Sequence, residues 1–305
     1  MNLRRETCAD LLRQLLSAHP KPAAGSGHPV LVGLIGRGIQ LSRTPRMHER
    51  EAARLGLACA YILVDFDQLG RDDAALPEVL AAGAALGFQG FNVTHPFKQQ
   101  ILPHLGALSP EAAAIGAVNT VVFGQGAITG YNTDSWGFSE SFRIGLPDAP
   151  LRKVVQFGAG GAGAAVAYSL MQLGVGEIHL VDVDRQRAAD LAARMAAEWN
   201  GRVHAAATAA DALAGADGLV NTTPVGMAKY PGIPFPADLL RPDHWVADII
   251  YFPEETELLR RARALGCRTL SGTGMAIGQA VRAFELFTGR KSDMASMAGH
   301  FAAAA

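Results

Sequence analysis

One stretch limits what this chain can fold into more than any other: KVVQFGAGGAGAAVAYSLMQLG, from Lys153 to Gly174. An apolar run, VVQF, leads at once into Gly158, Gly160 and Gly163 in G-x-G-x-x-G spacing, and then into a helical pattern of small residues. Each glycine has a separate task. The first permits a tight turn, the second lets backbone approach a pyrophosphate, and the third lets the helix pack close to the strand. The helix N-terminus then offers unpaired N–H groups and a partial positive charge. The following strand, EIHLVDVD, carries Asp182 at the offset of a carboxylate that accepts hydrogen bonds from an adenosine ribose. Bare glycine spacing is a weak signal. The strand–turn–helix context and the acidic residue together outweigh the alternative in which Asp182 or Asp184 is an ordinary strand-end turn residue. Gly158, Ala159, Gly160, Gly161, Ala162, Gly163 and Asp182 are therefore expected to hold a dinucleotide. Asp182 would repel the extra phosphate of NADP, so NAD is the expected cofactor, although Arg185 and Arg187 could meet a phosphate.

The rest of the chain is consistent with two α/β domains. Its 305 residues suffice for two cores, and 49% hydrophobic with 18% charged residues excludes a disordered chain. The uncharged run Val154–Gly176 is long enough to imitate a membrane span, but its glycines fit the nucleotide unit instead. A formal net charge of −1 gives no general attraction to nucleic acid or anionic membrane. Cys8, Cys59 and Cys267 are widely separated and have no CxxC spacing, so neither a disulfide framework nor a zinc site is expected. The N-terminal MNLRRETCADLLRQLL reads as an amphipathic helix and not a signal peptide, and the expected location is the cytoplasm. A Pro/Gly/Ser-rich connector, Ser17–Pro29, follows it.

Before Lys153, strand and helix alternate. VLVGLIG (Val30–Gly36), CAYILVDFD and FQGFNVT are strand patterns, with helical patterns in TPRMHEREAARLGL, LPEVLAAGAALG and FKQQILPHL. Thr44 is the expected N-cap of the first of these, with Pro45 at its first helical position. This alternation predicts βαβ units and a parallel sheet. After the glycine motif come further strands in DGLVNTTP, HWVADII and CRTLSG, and a last long helix in MAIGQAVRAFELFTG.

Several strings in fixed order then carry a resemblance: GLIGRGIQLSRTPRMHE, FNVTHPFK, GAVNTVVF…GYNTDSWGF, the glycine motif, NTTPVGM and GTGMAIGQAVRAFELFTG. Together they resemble the shikimate dehydrogenase family over nearly the whole chain from Val30 to Gly289. The resemblance implies an N-terminal α/β substrate domain (residues 1–133, completed by helices in 272–305), a doubly wound Rossmann-type NAD-binding domain (134–271), and a cleft between them. It implies that Lys98 is the catalytic lysine and Asp134 its partner. It further implies that Thr94, Asn119 and Gln279 hold substrate hydroxyls, that Ser42 and Thr44 hold a substrate carboxylate, and that Tyr251 lies near the substrate. Asn221, Thr222, Thr223, Pro224, Met227, Gly272 and Met275 would border the nicotinamide. The expected substrate is a small cyclohexane or cyclohexene polyol carboxylate, the expected assembly a monomer or homodimer, and no metal, nucleic acid or membrane is implied.

Two departures refine the resemblance. Leu41-Ser42-Arg43-Thr44-Pro45 stands where biosynthetic members usually have H-S-x-S-P, and Asp182-Val183-Asp184 replaces their usual Asn-Arg-Thr turn. Both look like the NAD-using quinate/shikimate branch and its aminoshikimate relatives. NADP-dependent biosynthetic reduction, aminoshikimate oxidation and a catalytically silent NAD-binding sensor remain the alternatives; intact Lys98 and Asp134 argue against the sensor. At its reference pKa of about 10.4, a lysine is less than roughly 0.1% neutral at pH 7. Lys98 can therefore act as a base only if desolvation outweighs a nearby carboxylate, or else as a cation that stabilises developing alkoxide. Other residues have plainer readings. His48 is a packing or helix-surface residue, with no second ligand at metal spacing. The arginines of RRARALGCR form a solvated helix face.

Overall fold

The computed structural model of the protein describes residues 7–20, 29–124 and 126–303. Most of the expected connector, residues 21–28, lies outside them, as do the first six residues and the last two alanines. The chain forms two compact units. One runs to Thr133 and includes the residues from Ala280 onward; the other is Asp134–Gln279. The long helix Thr273–Thr288 is thus shared, with its first seven residues in the second unit.

In the first unit the helix Cys8–Ala18 begins at a capping box, with the Thr7 side chain accepting from the Asp10 N–H and the Asp10 carboxylate from the Thr7 N–H. The sheet that follows contains β1 (Val30–Gly36), β2 (Cys59–Asp65), β3 (Gly90–Val93), β4 (Ala107–Leu108), β5 (Thr120–Phe123) and β6 (Ile128–Tyr131) in the order β2-β1-β3-β5-β6-β4. β1 pairs in parallel with β2 and β3, as the alternation predicts. The second half departs from it, because β5 is antiparallel to both β3 and β6. Only four residues separate TVVF from ITGY, so their antiparallel pairing needs no crossover helix.

Two local expectations are also corrected. The helix expected to be capped by Thr44 spans Thr44–Arg54, so Thr44 lies inside it and Pro45 is its second residue. The preceding Arg43 is already helical (φ −83°, ψ −11°), and the Ser42 hydroxyl accepts the Thr44 N–H at 3.3 Å. The helix after Pro96 is a single turn, Phe97–Gln100, followed by a 3-10 turn at Leu102–His104. Pro103 has no N–H with which to continue it. Phe66, Phe91, Phe97, Val118 and Val121 lie in the core beneath these turns.

The second unit is built on β7 (Lys153–Phe157), β8 (Glu177–Val181), β9 (Val203–Ala205), β10 (Gly218–Asn221), β11 (Trp245–Asp248) and β12 (Arg268–Ser271). All pairings are parallel, in the order β12-β11-β10-β7-β8-β9. The order runs outward from β7 in both directions, the doubly wound Rossmann arrangement, with its reversal between β7 and β10. β9, half exposed and only three residues long, is a strand beyond those expected from the sequence.

Candidate active site

In the first unit the parallel register puts the C-terminal ends of β1, β2, β3 and β6 at one edge of the sheet. The entry to β5, running the other way, lies at the same edge. Open α/β sheets bind ligands at such an edge. Thr94 follows β3 directly; its N–H donates to the Ile35 carbonyl and its own carbonyl receives the Phe97 N–H. Lys98 sits one helical turn on, half-buried, with its backbone carbonyl accepting from the Val118 N–H at 2.8 Å. Asn119, only 4% exposed, is fixed from several sides. Its Oδ1 accepts from the Thr133 N–H at 2.7 Å and the Thr120 hydroxyl at 3.1 Å, while its Nδ2 donates to Thr133 Oγ1 at 3.0 Å. Behind it the Tyr61 hydroxyl donates to Asn92 Oδ1, and Asn92 Nδ2 donates to Thr120 Oγ1. This buried polar chain locks the Asn119 amide in one orientation.

The loop carrying Ser42 leaves β1 and is held by Asp65, at the end of β2. The Asp65 carboxylate accepts from the N–H groups of Gly38, Ile39 and Asp67 and from Gln40 Nε2. Burial alone would push this carboxyl up, but those donors outweigh it and hold it below its ordinary value. Arg37 pairs with Asp67 and Asp73 and donates to the Arg71 carbonyl, so its charge is consumed in bracing the loop. His95 is exposed, and its carbonyl accepts the Arg37 N–H. His48 is a packing residue. Its ring lies 4.9 Å from that of Tyr61, and burial pushes its pKa down to about 3.

In the second unit every residue expected to meet the dinucleotide lies at the C-terminal edge of the sheet. Gly158 has φ +99°, and a Cβ there would stand 2.7 Å from Thr222 Oγ1. A Cβ on Gly163 would stand 2.5 Å from the Gly158 carbonyl oxygen, so helix Gly161–Gln172 approaches the turn as closely as backbone allows. Gly160 is different: a Cβ there would meet nothing within 4 Å. The cradle is therefore tight at the first and third glycines and open at the second, where a pyrophosphate needs space, and no side chain caps the helix that begins there. Ala159 and Ala162 complete this turn.

Asp182 takes the Ala159 N–H at 2.7 Å and the Asp184 N–H at 2.9 Å. An ionised carboxylate has about four acceptor positions, so two remain beyond these backbone donors. Arg187 lies 3.6 Å from Asp182 and 3.4 Å from Asp184, while Arg185 donates to the Ala207 carbonyl. These residues fit a dinucleotide cofactor. Asn221 organises the loop after β10: its Oδ1 accepts from Thr223 N–H and Oγ1, and its Nδ2 donates to the Val225 carbonyl and to Asp248. Asp248 is 1% exposed and also accepts from Ile250 N–H and Thr256 Oγ1; burial raises its pKa to about 6.

The remaining expected residues are distributed as follows. Pro224 and the half-exposed Met227 lie on the Asn221 loop. Gly272 passes so close to Ile249 that a Cβ would sit 2.0 Å from its carbonyl oxygen. This seats Met275, 7% exposed, in the first turn of helix Thr273–Thr288. Gln279, on the same helix, donates to the Ala276 carbonyl. Tyr251 is exposed just past β11, and Asp134 is buried in the first turn of helix Thr133–Gly145. Asn92, Thr133, Asp65 and Asp248 are supporting residues beyond those expected from sequence. Asn92 alone carried a visible signal, as a polar residue within an apolar strand.

The chain is similar to known proteins in both sequence and fold. The family profile of the shikimate dehydrogenase substrate binding domain matches residues 34–121, and that of the shikimate 5'-dehydrogenase C-terminal domain matches 272–298. A shikimate dehydrogenase (NADP(+)) of Streptomyces avermitilis is 55% identical, over 88% of this chain and 93% of its own length. A quinate/shikimate dehydrogenase (NAD(+)) of Corynebacterium efficiens is 50% identical, over 89% of this chain and 97% of its own. Among solved structures, quinate dehydrogenase from Corynebacterium glutamicum in complex with NAD superposes with a TM-score of 0.84 at 47% identity, covering 90% of this chain and 99% of that one.

Proposed function

The chain belongs to the shikimate dehydrogenase family, and on that premise we propose that it is an NAD-dependent enzyme that oxidises a ring hydroxyl of shikimate or quinate, reversibly, to the 3-dehydro ketone. The observation that carries the reading is the set Ser42, Thr44, Thr94, Lys98 and Asn119 at one edge of the first sheet, in a chain whose second sheet presents a dinucleotide cradle. Hydroxyls of Ser42 and Thr44 donate to the substrate carboxylate without a buried cation, and Thr94 and Asn119 take ring hydroxyls. Gln279 and Tyr251 are proposed to complete the substrate contacts. Bound dinucleotide supplies the hydride acceptor; the chain positions the alcohol and manages its proton. Lys98 takes that proton or stabilises the alkoxide that forms, and Asp134 is the second catalytic group.

NAD is favoured by the carboxylates of Asp182 and Asp184. A phosphate on the adenosine ribose would face two negative charges, and Arg187 already shares its charge between them. The test is kcat/KM for shikimate and quinate with each cofactor. We expect turnover with NAD to exceed that with NADP by about tenfold or more. The reverse preference would reassign the cofactor to the one named for the Streptomyces avermitilis relative. Dinucleotide binding with no turnover of either polyol would leave a binding protein in place of the enzyme.

A further inference from the structure

Glu51 is a fully buried carboxylate outside the residues assigned to substrate and cofactor contact. It lies on helix Thr44–Arg54, seven residues and about two turns beyond Thr44, hence on the same helical face. Five donors converge on it: Arg54 Nε and Nη2 at 2.9 and 2.7 Å, Ser292 Oγ at 2.7 Å, Ser296 Oγ at 2.7 Å and His300 Nε2 at 3.1 Å. Three of these donors come from the C-terminal segment, and two of those three from the helix Met294–Ala302. That same helix reaches the other end of the element: Phe301, 8% exposed, lies under the Arg43 guanidinium at 4.9 Å. Arg43 is the residue between Ser42 and Thr44. The C-terminal helix therefore grips helix Thr44–Arg54 at both ends, by a buried charge-assisted knot at Glu51 and a cation–π contact at Arg43.

We propose that Glu51 and Phe301 are positioning residues for the substrate carboxylate: the C-terminal helix fixes the rotation of helix Thr44–Arg54, and with it the aim of the Ser42 and Thr44 hydroxyls. This rests on the assignment of that pair to the substrate carboxylate. A hydroxyl pair recognising a planar carboxylate tolerates little error, since a misplacement of about 1 Å can cost about a hundredfold. Arg54 also lies 3.9 Å from Asp293, but its two short hydrogen bonds go to Glu51, and breaking the knot would free the helix to rotate while leaving the hydroxyls chemically intact. Glu51 and Phe301 thus act on recognition of the acid group and not on the ring alcohol.

The test compares kcat/KM for shikimate and for its uncharged carboxamide in the full-length protein, with NAD affinity measured alongside. Glu51→Gln and Phe301→Leu are expected to lower the preference for the acid by about five- to twentyfold through KM, with kcat within about twofold and NAD affinity unchanged. Ser296→Ala, a milder cut in the same knot, should act in the same direction if Glu51→Gln folds poorly. In a Ser42→Ala background the effect of Phe301→Leu should vanish, because the two act through one contact. Equal losses on acid and amide, or additive effects with Ser42→Ala, would overturn the proposal. If Ser42→Ala leaves the acid preference intact, the assignment of the carboxylate site itself fails, whatever Glu51 does. Absence of shikimate turnover by the parent protein refutes the functional reading, and this proposal with it.

Discussion

Gly160 and Gly163 differ by three positions and by what a methyl group would meet there, and that difference separates folding from binding. Alanine at Gly163 would drive its Cβ against the Gly158 carbonyl, so helix Gly161–Gln172 must shift. We expect Gly163→Ala to lose about 1–3 kcal/mol of stability with or without cofactor. Gly160 has φ −75° and open space around its missing Cβ, so alanine fits the empty protein. Gly160→Ala should leave the stability of the cofactor-free protein within about 0.5 kcal/mol while weakening NAD binding by about tenfold or more. Thermal unfolding with and without NAD distinguishes the two; a normal NAD-induced rise in Tm for Gly160→Ala would contradict the cradle. The glycine spacing was legible in sequence because each position has a steric reason. Glu51 was not, because its Ser and His partners lie 241 to 249 residues away along the chain. RMHEREAAR by itself reads only as a helical pattern.

At the scale of elements, the parallel strands of both units were legible as short apolar runs closed by glycine, proline or aspartate, since strands buried on both faces need no alternation. The β5–β6 hairpin was masked by its own motif residues: GAVNT and GYNTD draw attention as ligand groups, and the strands between them are only four residues each. The loop after β10 was legible as a motif, but its support was not. Asp248 holds that loop through Asn221, and its buried carboxyl has a pKa of about 6. A folded-state pKa above the ordinary value of 3.8 means that the unfolded chain releases this proton first. Stability therefore falls as pH rises from about 4 to about 6, by on the order of 3 kcal/mol from this group. Asp248→Asn should remove that slope. The difference in unfolding free energy between variant and wild type, from urea titrations, should shift in favour of the variant between pH 4 and pH 7; a flat difference would contradict it. Glu51 works in the opposite sense. Burial pushes its carboxyl up, but Arg54, Ser292 and Ser296 outweigh that and hold it at about 2. Its contribution is present above its ordinary value of 4.5 and fades as pH falls toward 2, so Glu51→Gln should flatten the acid limb of the stability profile.

For the whole molecule, Ser42, Thr44, Thr94, Lys98 and Asn119 lie in the first unit, while the glycine turn, Asp182 and the Asn221 loop lie in the second together with Asp134, Tyr251 and Gln279. With a formal net charge of −1, selection of an anionic substrate falls to local donors and not to a general field. No helix among the described residues is long and apolar enough to cross a membrane. FNVTHPFKQQ shows how far sequence reaches: the strand end and the proline turn were readable, whereas Lys98 by itself reads as a surface charge and is singled out only by the family resemblance. The lock on Asn119 formed by Tyr61, Asn92, Thr120 and Thr133 needed the fold, because it joins β2, β3 and β5 with the residue that follows β6 by two. The most direct test follows NADH formation from shikimate and NAD by wild type and by Lys98→Ala side by side. The expected result is steady turnover by the wild type and a loss of about 10²–10⁴-fold in kcat for the variant, with a much smaller change in KM. A kcat near normal in Lys98→Ala would contradict it.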